Sequence, residues 1–245
     1  VDLYRTLRED GVNIFTFGPG GTGKTAGFEA AFGSHLVTTV GSESTVADQW
    51  FGQWVKDPAT NDWRYEKGPL LEAMEGDGTH GDVLLMDEIG KISPRETPAL
   101  HPLMDGRGWT RVPNNPDLGV VEAKPGFAIV ASTNPDGIGV RMEEALLSRF
   151  GLHMEVTTDY DLVERLGVDP RMVRAAHNLD ERRQRNQVSW APQHRHLMDW
   201  HSLCASTNEY IATGSLLNEA PRPDQAEVAK ALKQAVGFNV EGLRL

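Results

Sequence analysis

Eight residues, GPGGTGKT at 18–25, hold four glycines, a lysine and a threonine. Glycines let successive backbone N–H groups turn toward an anion with no Cβ in the way. A helix starting directly after them adds its partial positive charge. In the spacing G-x-x-x-x-G-K-[ST], Lys24 reaches the β and γ phosphates of a nucleotide and the Thr25 hydroxyl faces Mg²⁺. Gly18, Pro19, Gly20, Gly21, Thr22, Gly23, Lys24, Thr25 and Ala26 are therefore candidate nucleotide-binding residues.

Two adjacent acids, Asp87 and Glu88, close the apolar run VLLM at 83–86. Such a pair at the end of a buried strand costs desolvation unless a cation or strong hydrogen bonds compensate. Asp87 would hold Mg²⁺ through its water shell, and Glu88 would orient and activate an attacking water, chemistry that leans toward ATP hydrolysis. Asn134, after FAIVAST at 127–133, could orient the same water or touch the γ-phosphate, although NPDG is also ordinary turn chemistry. Arg141 and Arg149 bracket a helix. A planar guanidinium suits developing phosphoryl charge on a neighbouring subunit's nucleotide, the alternative being a surface ion pair. The catalytic candidates are Lys24, Glu88, Asn134, Arg141 and Arg149, and the metal candidates Thr25 and Asp87.

Positioning these groups takes strands that end where they lie. VNIFTF (12–17) reads as a strand feeding the glycine loop, and TAGFEAAFGS (25–34) as the helix after it. HLVTTV (35–40), GDVLLMDEI (81–89), FAIVASTNPDG (127–137) and LHMEV (152–156) read as further strands, the second a buried parallel one. SESTVADQWFGQWV (42–55) has a capped helical pattern, KDPATNDWRYEKG (56–68) reads as turns, and PLLEAMEGD begins a helix at Pro69. PRETPALHPLMDG (94–106) and RMEEALLSRF (141–150) are helical in pattern, and 108–126 reads as a protruding hairpin. Beyond residue 158 only helical segments follow. Alternating strands and helices, then helices alone, predict an α/β nucleotide domain over 1–158 and a small helical domain over 159–245.

A chain of 245 residues can bury a substantial core. Its single cysteine, Cys204, excludes an internal disulfide and a cysteine-based zinc cluster and fits a reducing, cytoplasmic setting. No apolar run approaches the roughly 18 residues of a membrane span. A net charge of −11 argues against general nucleic-acid binding without excluding a local basic pore. His194 and His196, two apart on a helix, point in different directions, so a zinc site is not expected there. Tryptophans 50, 54, 63, 190 and 200 read as packing residues.

Taken together, GPGGTGKT, VLLMDEI, ASTNP and ALLSRF resemble the Walker A, Walker B, sensor 1 and arginine-finger segments of AAA+ ATPases. GPLLEAM (68–74) and PALHPLMDG (98–106) are similar to the MoxR-like branch, which includes CbbQ, NorQ and the gas-vesicle N proteins. The resemblance covers about residues 12 to 155. It implies a P-loop NTPase fold, a three-layer α/β sandwich with a mostly parallel sheet and a small all-helical lid. It further implies ATP and Mg²⁺ as cofactors and a homo-oligomeric ring, usually a hexamer. Lys24, Thr25, Asp87, Glu88 and Asn134 would act within one subunit, and Arg149, helped by Arg141, across the interface. Residues 51–67 would be the insertion interrupting the second helix and 107–125 the hairpin before sensor 1. In the lid the resemblance departs from the family's serine-x-arginine: Gln193 takes the serine's place and Arg195 becomes the sensor 2 candidate. The function implied is ATP hydrolysis coupled to remodelling or activating a client protein. A nucleic-acid-stimulated motor and a nucleotide-binding interaction module with little turnover remain alternatives.

Overall fold

The computed structural model describes residues 1–135 and 137–244. Asp136, within the predicted strand and turn 127–137, and Leu245, the last residue of the predicted helical domain, lie outside the described residues. The chain divides into two compact units: Val1–Pro19 with Lys24–Val156, and Gly20–Gly23 with Thr157–Leu245.

The first unit is built on a five-stranded sheet of β1 (Ile14–Phe17), β2 (Leu36–Val40), β5 (Val83–Asp87), β8 (Ala128–Thr133) and β9 (Leu152–Glu155). They run in the order β2-β5-β8-β1-β9, and every neighbouring pair is parallel. Successive residues of its central strands feed two separate cores. Ile14, Val83, Leu85 and Val130 pack with Tyr4, Phe28 and Phe32, which come from α1 (Asp2–Glu9) and α2 (Lys24–Phe32). Phe15, Leu84, Met86, Ile129 and Ala131 pack on the opposite face with Leu70, Leu71 and Met74 of α4 (Pro69–Glu75), Leu103 of α5 (His101–Met104) and Leu146 of α6 (Glu144–Leu147). Apolar side chains on both faces are what a parallel sheet between two helical layers requires. The three-layer α/β sandwich is thus observed.

α1 gave no recognisable signal in the sequence. Its Tyr4 ring lies 4.9 Å from Phe28, and Arg8 donates to the Gly81 and Gly126 carbonyls at 2.7 and 3.0 Å.

Several local expectations are corrected. The helix predicted over 42–55 is only α3 (Asp48–Phe51), after which the chain turns into β3 (Gly52–Lys56). The supposed turns at 56–68 contain β4 (Trp63–Lys67), antiparallel to β3. Gly52 makes the switch possible. Its φ is 135°, and a Cβ there would stand 2.1 Å from the Glu66 carbonyl oxygen. Trp54 and Tyr65, directly opposite on the two strands, meet edge-on at 5.5 Å, a cross-strand pair that favours the hairpin. Trp54 and Trp63 are exposed rather than packed inside, whereas Trp50 is buried. The helix read at 141–150 shrinks to the four residues of α6.

A second hairpin joins β6 (Trp109–Arg111) to β7 (Val120–Glu122). Asn114 in its loop accepts from Tyr65 Oη at 2.8 Å and donates to the Gly52 carbonyl at 2.7 Å, tying the two hairpins together.

The second unit carries α7 (Tyr160–Arg165), α8 (Pro170–Gln184), α9 (His194–Ser206), α10 (Glu209–Glu219) and α11 (Gln225–Val236) around Met172, Leu179, Leu197, Trp200, Leu216 and Leu232. Asp159, Asp169 and Asn208 accept N-cap hydrogen bonds for α7, α8 and α10, satisfying donors that a helix start leaves open. Gln193 opens α9 with a capping box in which its own N–H donates to His196 Nδ1 at 2.9 Å.

Candidate active site

The loop between β1 and α2 takes backbone shapes that only glycine adopts easily. Gly18, Gly21 and Gly23 have φ values of 145°, 78° and 92°. A Cβ on Gly18 would come within 2.3 Å of the Val156 carbonyl oxygen. Lys24, the first residue of α2, is buried, and its ammonium donates to the Gly18 and Pro19 carbonyls at 2.9 and 2.8 Å. A cation inside a loop of this shape is matched to polyphosphate. Thr22 is buried, and Ala26 lies exposed on the first turn of α2.

The acids arrive from β5. Thr25 Oγ1 donates to Asp87 Oδ2 at 3.1 Å, so helix and strand meet through two oxygen-bearing side chains. Asp87 Oδ1 accepts from the Ser132 hydroxyl on β8 and from the Glu88 N–H at 3.1 Å. This oxygen-only donor set fits a hard divalent cation such as Mg²⁺.

Glu88 has φ 55° and ψ 38°, a left-handed conformation uncommon outside glycine and costing about 1–2 kcal/mol. The 3₁₀ turn Ile89–Lys91 that follows is packed at Gly90 against the last residue of β8 and the segment after it. A Cβ on Gly90 would fall 2.6 Å from Val140 Cγ1 and 2.7 Å from Thr133 Oγ1. The Arg141 N–H donates to the Gly90 carbonyl at 2.6 Å, while the Arg141 residue itself is exposed. Asn134 follows β8 directly, two residues beyond Ser132, and its carbonyl accepts from the Gly137 N–H at 3.0 Å.

Arg149 is held elsewhere. Its carbonyl accepts from Asn13 Nδ2 at 3.4 Å, and Asn13 precedes β1, whereas the glycine loop follows it. A four-residue strand spans about 13 Å, so this chain keeps Arg149 at the far end of β1 from Lys24. The Arg149 guanidinium donates to the Ala145 carbonyl through Nη1, and its Nε is buried without a hydrogen-bond partner among the described residues. Burial, reinforced by the Arg149 charge, pushes the His101 imidazole below its usual range. In the second unit, the Arg195 N–H donates to the Gly21 carbonyl at 3.0 Å, and the Arg195 residue is exposed.

The structure therefore gathers Lys24, Thr25, Asp87 and Glu88, sets Asn134 at the end of the adjacent strand, and separates Arg149 from them. Sequence reasoning missed Ser132 as a partner of Asp87, although it lies inside the quoted ASTNP. It also missed Asn13, which is buried, donates to Met104 and Arg149 carbonyls, and accepts from the Ile129 N–H at 3.1 Å. A polar residue just ahead of an apolar strand was the available signal.

The chain is similar to several known proteins. A solved structure of an inferred ATPase from Cytophaga hutchinsonii superposes with a TM-score of 0.53 over 93% of this chain and 78% of its own, at 12% identity, which speaks for the fold alone. Midasin of Giardia intestinalis is 30% identical over 122 residues, 49% of this chain and 2% of that protein. NorQ of Paracoccus denitrificans (strain Pd 1222) is 28% identical over 138 residues, 55% of this chain and 48% of that protein. The chain thus spans less than half the length of each of these two relatives. The family described as AAA domain (dynein-related subfamily) matches residues 13–150, which contain the glycine loop, both acids, Asn134 and Arg149. With that match over more than half of its length, and with NorQ among the proteins it is similar to, the chain belongs to the dynein-related subfamily of AAA domains.

Proposed function

We propose that this chain binds ATP with Mg²⁺ and hydrolyses it as a subunit of a cytoplasmic homo-oligomeric ring, most simply a hexamer, to remodel or activate a client protein. The nucleotide domain would span 1–158 and the helical lid 159–245. The observation that carries the reading is the Thr25–Asp87–Ser132 hydrogen-bond chain, directly beside Glu88 in sequence and starting at the residue after the buried Lys24.

In this reading the backbone N–H groups of the loop 18–26, Pro19 apart, and the Lys24 ammonium bind the β and γ phosphates. Thr25 and Asp87 would hold Mg²⁺, which when bound offsets phosphate charge. Glu88 orients a water and accepts its proton, and Asn134 fixes the water's second contact. Arg149, remote from its own subunit's Lys24, serves the γ-phosphate of the next subunit, with Arg141 beside that interface. Arg195 senses the nucleotide from the lid. The net charge of −11 supports a client protein over nucleic acid.

The test is phosphate release by the wild-type chain and by Lys24→Ala, measured with size-exclusion profiles with and without ATP. The expected result is slow, Mg²⁺-dependent hydrolysis that rises on assembly and vanishes in Lys24→Ala. Hydrolysis stimulated by DNA or RNA in a salt-dependent way would instead establish the motor reading. Nucleotide binding with no turnover in any assembled state would establish the interaction module.

A further inference from the structure

Glu88 makes a contact that water activation does not use. Its Oε2 is shielded from solvent and, among the described residues, accepts no hydrogen bond of good geometry. The Lys91 ammonium lies 3.4 Å from that oxygen, three residues on along the 3₁₀ turn. Backbone geometry fixes both ends of the pair. The Lys91 N–H donates to the Glu88 carbonyl at 2.9 Å, and Gly41 packs so closely that a Cβ on it would stand 2.6 Å from that same carbonyl oxygen. The Arg141 N–H anchors the turn from the other side through the Gly90 carbonyl at 2.6 Å. A left-handed Glu88 thus presents its carboxylate to a cation provided by its own turn.

We propose that Lys91 is a positioning residue that restrains Glu88, a brake on turnover in the chain at rest. The proposal rests on reading Glu88 as the water-activating group. A carboxylate must offer a free oxygen to a water before it can orient it, and here one oxygen is enclosed and turned toward the ammonium. The side chains of Lys91 and Glu88 are 40% and 28% exposed, so the pair is weak enough to open during a catalytic cycle. Binding of phosphate does not involve it, because Lys24, Thr25 and Asp87 make their contacts without Lys91.

The experiment measures kcat and KM for ATP, together with affinity for a fluorescent ATP analogue, in Lys91→Met, Lys91→Arg and the double variant with Glu88→Gln. Lys91→Met is expected to raise kcat about two- to fivefold, the range a partly exposed ion pair supports, with KM and analogue affinity unchanged. Lys91→Arg restores the brake, since a cation of similar reach remains. Adding Lys91→Met to Glu88→Gln is expected to change nothing, because the group restrained is already gone. A kcat in Lys91→Met at or below wild type overturns the brake, as does an equal effect in the two backgrounds. If hydrolysis depends on Lys24 and Lys91→Met does not raise it, only the brake is lost. If no variant shows Lys24-dependent hydrolysis, the proposed function falls with it.

Discussion

Asp87 and Glu88 are neighbours in the chain, but their surroundings give them different work. Asp87 is saturated with donors from Thr25, Ser132 and the next backbone N–H, which suits a fixed anchor. Glu88 sits in a strained backbone well with an oxygen that, among the described residues, accepts no hydrogen bond and faces only the Lys91 ammonium at 3.4 Å, which suits a group that changes partner. Glu88→Gln should therefore lower phosphate release about 10²- to 10⁴-fold while leaving affinity for a fluorescent ATP analogue nearly intact. Asp87→Asn should weaken the Mg²⁺-dependent part of that affinity instead. Equal loss of binding in both variants would show that the two acids share a single role. The loop and acids were legible because they are contiguous and chemically unambiguous. Ser132, Lys91 and His101 were not, since their relations to Asp87, Glu88 and Arg149 exist only after strands and turns have been brought together.

The elements divide by the same logic. β5 and β8 were readable as continuous apolar runs because both of their faces are covered. The β3–β4 hairpin was misread because Trp50, Phe51, Trp54 and Val55 fall at helical spacing. Trp50 and Phe51 of α3 do lie in the core, yet Gly52 breaks the register and sends Trp54 onto a hairpin outside it. Gly52→Ala should accordingly destabilise this region by roughly 1–3 kcal/mol, seen as faster proteolysis between residues 52 and 67 in limited digestion. In the helical unit the capping box of α9 predicts a pH effect. Burial pushes His196 below the usual imidazole range, Asp199 opposing and Arg195 assisting. The unfolded chain therefore takes up the proton first, and stability should fall as pH drops below about 6.5, through the window between the ordinary and the lowered pKa. Protonation also removes Nδ1 as the acceptor for the Gln193 N–H. Glu219, 3.4 Å from His196 and raised by burial, acts with the opposite sign closer to the carboxylate range. Thermal midpoints should fall by a few degrees between about pH 7.5 and 5.5, and less so in His196→Gln, which keeps an acceptor but does not titrate.

At the scale of the whole molecule, Arg149 stands at the opposite end of β1 from the glycine loop, a separation that one chain's fold imposes. Across the interface of the proposed ring, Arg149→Ala should reduce hydrolysis by about 10³-fold or more. Mixing it with Lys24→Ala chains should recover part of the rate, because a mixed interface joins one intact loop to one intact arginine. No recovery on mixing would place the arginine's effect inside its own subunit. The sequence contained the arginine but not its distance from the loop, which depends on strand order and on Asn13 holding the Arg149 carbonyl at the start of β1.

Gly90 bears on how this chain can evolve. With Val140 on one side of it and the Thr133 hydroxyl on the other, there is no room for even a methyl group. A saturation library at codon 90, selected for activity, should return glycine almost alone. Descendants of this protein would then vary the residues around that turn while the turn itself stays frozen.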